Sequence, residues 1–470
     1  MHRSQSFRDA VRLTGLLGVL VLVGLMATAC GSNNGAATKA PQLRVWRVDQ
    51  NEDVIADIKT DFLEANKGAD FSYKKKSLAG YELAALKSLS ARQGPDIWSI
   101  PNDWLGDHKA RLGWLGDTFF QEATKDAEGG PYKPVDWVKK IYPAGIAESI
   151  TIDGHVYGLP TGVDTLRLYY NPEIFGNAYG EYEASLGEDP SDEQLQPVQN
   201  LLSGSPRTWA ALVEQSKYIT RRDGATITRS AIALGTADNS PNTADVLQLL
   251  IMQNDGQIVS TDHTRALFHI PKTTPAGVSV RPGENALDFL TSFSNPSKST
   301  YTWNPSMPQA LDAFGQGKVA MVIGFTDFEK QLRTKYPRME FEVAPVPQIS
   351  TAPLQPQVNL IRFWTETIPR IADNPQLALN FLRLEAAYAD SLASEAGLSS
   401  PYLATLAEDP EEFPNKQILN GKAVYKKDRE LFDAAFRQMI VDVSQNGLTP
   451  AQALDSGSEK INVLLAQPDE

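Results

Sequence analysis

Cys30 is the one cysteine in 470 residues, and its neighbours give its thiol a specific chemistry. Basic Arg3, Arg8 and Arg12 precede an apolar run from Leu16 to Met26, and Ala27-Thr28-Ala29 lead into Cys30-Gly31. A charged start, a short apolar stretch and small residues before a cut read as an export signal, not a membrane span. A thiol placed there can take a diacylglycerol, and removal of residues 1–29 then leaves Cys30 first in the chain. Residues 30–40 are small and polar, as a flexible tether requires. With this cysteine committed to an anchor no disulfide is available, so the exported fold must rest on its core.

Other reactive patterns fail on spacing. No Gly-x-Ser-x-Gly elbow is present, and the thiol route to covalent catalysis is closed. His2, His108, His155, His263 and His269 form no His-Glu-x-x-His pattern. Gly315-Gln316-Gly317-Lys318 is too short for a phosphate loop and lacks the following Ser or Thr. Asp49, Asn51 and Asp53 alternate as in a calcium loop, but Val54 stands where glycine is needed and Thr60 where the bidentate Glu belongs. A glycan hydrolase needs two carboxylates placed across one bond, and 57 acidic residues allow that anywhere, so the pattern selects nothing. Neither metal nor cofactor is expected.

Charge narrows the partners. The formal net charge is −13, and losing residues 1–29 removes three Arg and one Asp, leaving −15. That balance argues against nucleic acid, whose phosphates call for Lys and Arg. It leaves no polybasic patch for anionic lipid either, so the lipid would be the whole membrane link. At 42% hydrophobic, a chain of about 440 residues can bury a large core and suggests more than one lobe.

Strand-like and helix-like segments alternate, which predicts an α/β fold. Leu43–Val48 reads as the first strand, followed by a helix with Ile55, Ile58 and Phe62 on one face. Phe71–Tyr73 is a second strand, and Tyr81–Leu89 a helix with Leu83, Leu86 and Leu89 at helical spacing. Pro95–Ile100 is a short buried strand entering the loop Pro101-Asn102-Asp103-Trp104. The segment between Phe175 and Pro206 has six carboxylates from Glu181 to Glu193 without a Lys or Arg among them, and reads as a solvated insertion. Thr208 and Ser306 are expected helix caps. Val319–Ile323 is a strand, Asn374-Pro375 opens a helix, and the tail from Lys427 to Leu465 is helical with a break at Gly447–Pro450.

Several motifs run in one order along nearly all of residues 41–465. They are Pro95-Asp96-Ile97 with Asp103-Trp104, then Tyr157–Pro160, Val163-Asp164-Thr165 and Leu168–Asn171. Pro206–Trp209, Ala313–Met321, Asn374–Ala378 and Gly447–Leu454 follow. As an ordered set they resemble the extracellular solute-binding proteins of ATP-driven importers, in the carbohydrate-binding branch that includes maltose-binding protein. The resemblance implies a bilobal fold, each lobe a sheet flanked by helices. It implies lobes of residues 41–161 plus 360–422 and of residues 162–359 plus 423–470. The chain would cross near Pro160–Asp164, Val358–Arg362 and Gly421–Lys426, with ligand held as the lobes close.

The resemblance also implies a ligand set. A sugar offers apolar ring faces and a rim of hydroxyls, matched by aromatic platforms and by acid, amide or Arg partners. The loop after the first strand offers Asp49, Gln50 and Asn51. Asp103 stands where relatives hold hydroxyls with an acid, with Trp104 beside it, and Asp164 lies by a crossing. Asp238 and Asn239 follow the Ala231–Thr236 strand. Asp327 replaces the aromatic that relatives present after the Ile323 strand, and Trp303 and Trp364 are candidate platforms. The function implied is capture of a carbohydrate, an oligosaccharide first of all, by a monomeric, lipid-anchored receptor on the outer face of the cytoplasmic membrane. Its partner would be the permease of an ABC importer. The alternatives are a lipid-anchored glycan hydrolase, an adhesive lipoprotein, or the same fold serving a non-sugar polyol or sugar phosphate.

Overall fold

The structure, a computed structural model, describes residues 40–470 apart from 118, 120–132, 225, 275–276, 353–356 and 469–470. The export signal, Cys30 and nearly all of the tether therefore lie outside the described residues. The chain forms two compact units. One holds the chain up to Pro143 with Ala147–Val163 and Phe363–Thr405; the other holds Ala144–Ile146, Asp164–Arg362 and Leu406–Glu470. Two strands, Gly158–Thr165 and Asn359–Pro369, run through these boundaries unbroken. Residues 406–422, expected with the first lobe, lie in the second unit. Gln417 ties them there, its Nε2 donating to Leu166 O at 2.8 Å and its Oε1 accepting from Val346 N at 2.8 Å.

The first unit is built on a sheet whose central strand, Gln42–Val48, lies parallel to Asp70–Lys76 on one side and Ile97–Pro101 on the other. The later half of Asn359–Pro369 closes it antiparallel, with Trp364 opposite Pro101. Leu43, Val45, Ile97 and Ile100 carry no exposure, as expected of strands covered on both faces. Helix Ala56–Ala65 buries Ile58 and Phe62, and the Phe62 ring meets Phe381 of helix Pro375–Ala396 edge-on at 5.6 Å. Helix Tyr81–Ser90 turns inward a stripe that shares Leu89 with the leucine spacing read from the sequence but not Leu83. Tyr81, Ala85 and Leu89 are buried at i, i+4, i+8, while Leu83 is 73% exposed. The Tyr81 hydroxyl explains the choice: it donates to Ser99 O at 2.9 Å and fixes the helix's rotation.

The second unit has a five-stranded sheet in the order Glu342–Pro345, Arg167–Tyr170, Val319–Gly324, Thr226–Ile232, Arg221–Asp223. Thr226–Ile232 runs parallel to Val319–Gly324, and the other pairings are antiparallel. Period two sorts its side chains. Leu168, Met321 and Ile323 face a large core with Leu247, Phe432 and Ile461, while Tyr169 and Val322 face a smaller one with Trp303 and Phe314. Helices Thr243–Gln253, Pro282–Ser292, Arg429–Ser444 and Pro450–Leu465 cover the large core. The break between the last two falls where Gly447 and Pro450 announce it. Thr449 Oγ1 accepts from Gln452 N, and Thr449 N donates to Gln452 Oε1, in a capping box.

Two expectations need correction. The acidic segment is not a loose insertion: helices Pro172–Ser185 and Asp192–Leu202 bury Phe175, Ala178, Val198 and Leu202, and Glu181 meets Arg221 at 2.6 Å and Arg229 at 2.7 Å. Ser306 caps no helix, since the helix there is Ala310–Gly315 and the Ser306 hydroxyl donates to Asn304 Oδ1 at 2.6 Å. Thr208 does cap Trp209–Ile219, accepting Ala211 N at 3.1 Å.

Candidate functional site

The end of the strand Gly158–Thr165 delivers Asp164, 4% exposed and part of the second unit, to the start of that unit's helix Thr326–Lys335. Its Oδ2 accepts from Thr326 N at 3.1 Å and Thr326 Oγ1 at 2.7 Å, and its Oδ1 from Thr165 N at 2.9 Å. Phe325, the residue before the helix, caps nothing with its own side chain, so the Asp164 carboxylate meets the helix's orphan N–H groups and its positive end. Arg362 brings Nη2 to 3.4 Å from Asp164 and 2.6 Å from Asp327, with its guanidinium 3.7 Å above the Phe325 ring. Arg167 adds a longer pairing to Asp164 at 3.9 Å. The buried acid thus positions a cation, and the outer part of the cluster is open: the Asp327 side chain is 57% exposed and Arg362 35%. A planar donor fork beside a carboxylate is suited to polar groups that both accept and donate, hydroxyls above all. Sequence reading singled out Asp164 and Asp327 and missed Arg362, the group that joins them.

Asp238 and Asn239 part company. Asp238 is exposed, whereas Asn239 is buried and fully engaged. Asn239 Nδ2 donates to the carbonyls of Asn304 at 3.0 Å and Met307 at 2.9 Å, and Oδ1 accepts Trp303 Nε1 at 2.9 Å. Trp303 has 0% exposure, so neither face of its ring can meet a ligand, and both residues are structural. Hydrogen bonds that close the loop after the Thr226–Ile232 strand account for them.

In the first unit Asp49 is exposed in the left-handed region at φ 51°, bonded through its N–H to Lys76 O at 2.8 Å. Gln50 Oε1 accepts Arg47 Nη1 at 2.9 Å, and Asn51 Oδ1 accepts Lys75 Nζ at 2.8 Å. Asp103 is half-buried in the single turn Asn102–Trp104 after the Ile97–Pro101 strand. Trp104 is not an open platform: it is buried against Tyr81, stacked at 6.4 Å, and His108, edge-on at 6.2 Å. Trp364 remains half-buried.

Beneath Gln50 lies a buried charge cluster that the sequence reading did not find. Arg47 is bonded to Glu385 and lies 3.5 Å from Glu366, whose other oxygen accepts Ser99 Oγ at 2.8 Å. Two carboxyls share one guanidinium, and both acids carry no exposure. Burial pushes the Glu385 carboxyl up to about 8 against the opposing pull of Arg47, and raises Glu366 in the same way. The legible signal was Glu385 itself, a charge on the inward face that Phe381, Ala389 and Leu392 share.

Comparison with known proteins places these units in a class. The chain belongs to the bacterial extracellular solute-binding protein family, whose model matches residues 57–403. It is 25% identical over 175 residues to the maltooligosaccharide ABC transporter solute-binding lipoprotein of Streptococcus pneumoniae; the match spans 36% of this chain and 37% of that protein. A cyclo/maltodextrin-binding protein complexed with maltotetraose superposes with TM-score 0.66 at 15% identity, over 93% of this chain and 100% of that one. The sugar-binding protein MalE of Xanthomonas citri gives 0.64 at 18%, over 90% and 97%. The cyclic alpha-maltosyl-1,6-maltose binding protein of Arthrobacter globiformis gives 0.64 at 17%, over 90% and 99%. At such identities the likeness establishes the periplasmic-binding-protein fold. Among the described residues no helix is long and apolar enough to cross a membrane.

Proposed function

We propose that this protein captures a carbohydrate, an oligosaccharide first of all, outside the cytoplasmic membrane and presents it unaltered to the permease of an ATP-driven importer. The family match over residues 57–403 carries the reading, and the name of the pneumococcal relative supports its carbohydrate part. The chemistry of the described residues suits such a guest. Arg362 and Asp327 supply a donor fork and an acceptor, held in place by Asp164, while Trp364 supplies a flat apolar surface. Asp49, Gln50, Asn51, Asp103 and Asp238 are further polar contacts in this reading. Maltotriose at 100 times its dissociation constant would stabilise the folded chain by about 2.7 kcal/mol, a rise readily seen in a thermal-shift assay. A panel of neutral mono- and oligosaccharides that leaves the melting temperature unmoved would end the carbohydrate reading.

The receptor is held at the membrane, in the same proposal, by a lipid on Cys30. Cys30→Ser is expected to move the protein from the membrane fraction to the soluble exported fraction and to abolish incorporation of labelled lipid. Equal membrane recovery of the variant and the parent would remove the anchor from this account.

A further inference from the structure

The second unit contains a cavity of about 550 Å³ to which none of the Asp164 cluster contributes. Its size falls within the range of small-molecule sites, and its wall is chemically one-sided. Three buried amides line it, Gln348, Asn359 and Gln417. Gln348 is spent, with Nε2 on Asn359 Oδ1 at 2.9 Å and Oε1 accepting Val358 N at 3.1 Å. Gln417 is spent on Leu166 and Val346. Asn359, 1% exposed, uses Oδ1 for Gln348, and its Nδ2 makes no hydrogen bond among the described residues. That amide nitrogen lines the cavity with its donor capacity unused, so it can donate to a guest there.

The charges of the wall point to the sign of the guest. Arg207 lines the cavity and forms no ion pair among the described residues. Lys416 and Glu411 neutralise one another at 2.6 Å, so the lining residues carry one uncompensated positive charge in a protein whose net charge is −13. Tyr170 and Phe413 add aromatic surface, and the Tyr170 hydroxyl is already given to Glu342.

We propose that this cavity is a second binding site, for a ring-sized monocarboxylate such as a hexuronic acid. The carboxylate would be taken by Arg207 and by Asn359 Nδ2, and the ring would lie on the aromatic wall. A single free guanidinium matches a group of charge −1, and its two-pronged geometry matches a carboxylate. A phosphate monoester would bring close to two charges and leave one unpaired.

Calorimetric titration of the full chain with D-glucuronate tests the site. Saturable binding is expected, with D-glucose about tenfold weaker or worse, the scale of one lost charge-assisted contact. Arg207→Gln, a surface change, is expected to weaken glucuronate by about tenfold while leaving the maltotriose response unchanged. Asn359→Asp, which keeps the acceptor for Gln348 but replaces the free donor with an anion, is expected to abolish binding. The Asn359 side-chain amide resonance should also shift on titration of the unmodified protein. No saturable binding, equal affinity in the parent and Arg207→Gln, or competition by maltotriose would each overturn the second site. A missing maltotriose response would overturn the proposed function instead, and the glucuronate titration would stand by itself.

Discussion

Asp164 and Glu385 show how differently two buried carboxylates can be treated. The first gathers Thr165, Thr326, Arg362 and Arg167 around it, so its charge is matched on every side. The second shares Arg47 with Glu366, and burial outweighs the attraction. A carboxyl whose folded pKa of about 8 lies above the ordinary 4.5 binds its proton more tightly when folded than when unfolded. The stability it contributes is therefore complete below 4.5 and is lost as pH rises toward 8. The urea midpoint should fall between about pH 5 and pH 8, and Glu385→Gln should flatten that slope. An unchanged slope in the variant would assign the pH dependence elsewhere. Little of this was legible in the chain, because strand propensity locates Arg47 but not what is packed above it. Asn239 and Trp303 teach the same lesson: polar and aromatic residues after a strand suit a ligand and a loop-closing hydrogen bond equally well.

Elements were far easier to read than residues. Apolar spacing places the helix carrying Phe62, the strand Val319–Gly324 and the two C-terminal helices, because each buries one continuous stripe or run. The misreadings arise where two stripes compete, as on Tyr81–Ser90, or where a side chain prefers a nearer partner, as Ser306 does. Caps with a matching N3 residue leave less ambiguity. Thr449→Ala removes the hydroxyl from the box that starts Pro450–Leu465 and should cost about 1 kcal/mol, read as a lowered urea midpoint. Asn171, which accepts Glu173 N at 2.9 Å, holds Pro172–Ser185 in the same manner. The acidic helices that follow show why charge counting alone misleads: Val198 and Leu202 sit on one face of a segment whose other face is polar.

For the molecule as a whole, an ordered set of short motifs revealed two units, while the last boundary depended on Gln417, whose hydrogen bonds no motif encodes. Neither unit is continuous in sequence. A chain ending at Arg362 would keep strands Gln42–Val48 and Ile97–Pro101 but lose the antiparallel strand that closes their sheet. It is expected to show no cooperative unfolding transition by circular dichroism. A sharp transition with native-like secondary structure would mean that the first sheet is stable without its last strand.

That closing strand also sets a timetable. The Thr367 hydroxyl donates to Trp98 O at 2.6 Å across 269 positions of sequence, so the ribosome must add most of the polypeptide before the two can meet. The second unit likewise waits for its C-terminal helices. In the exported receptor proposed above, a nascent chain that cannot finish either half early would stay threadable, as passage through a narrow secretion channel requires. Interleaved connectivity would thus double as a delay, postponing maturation until synthesis is almost done.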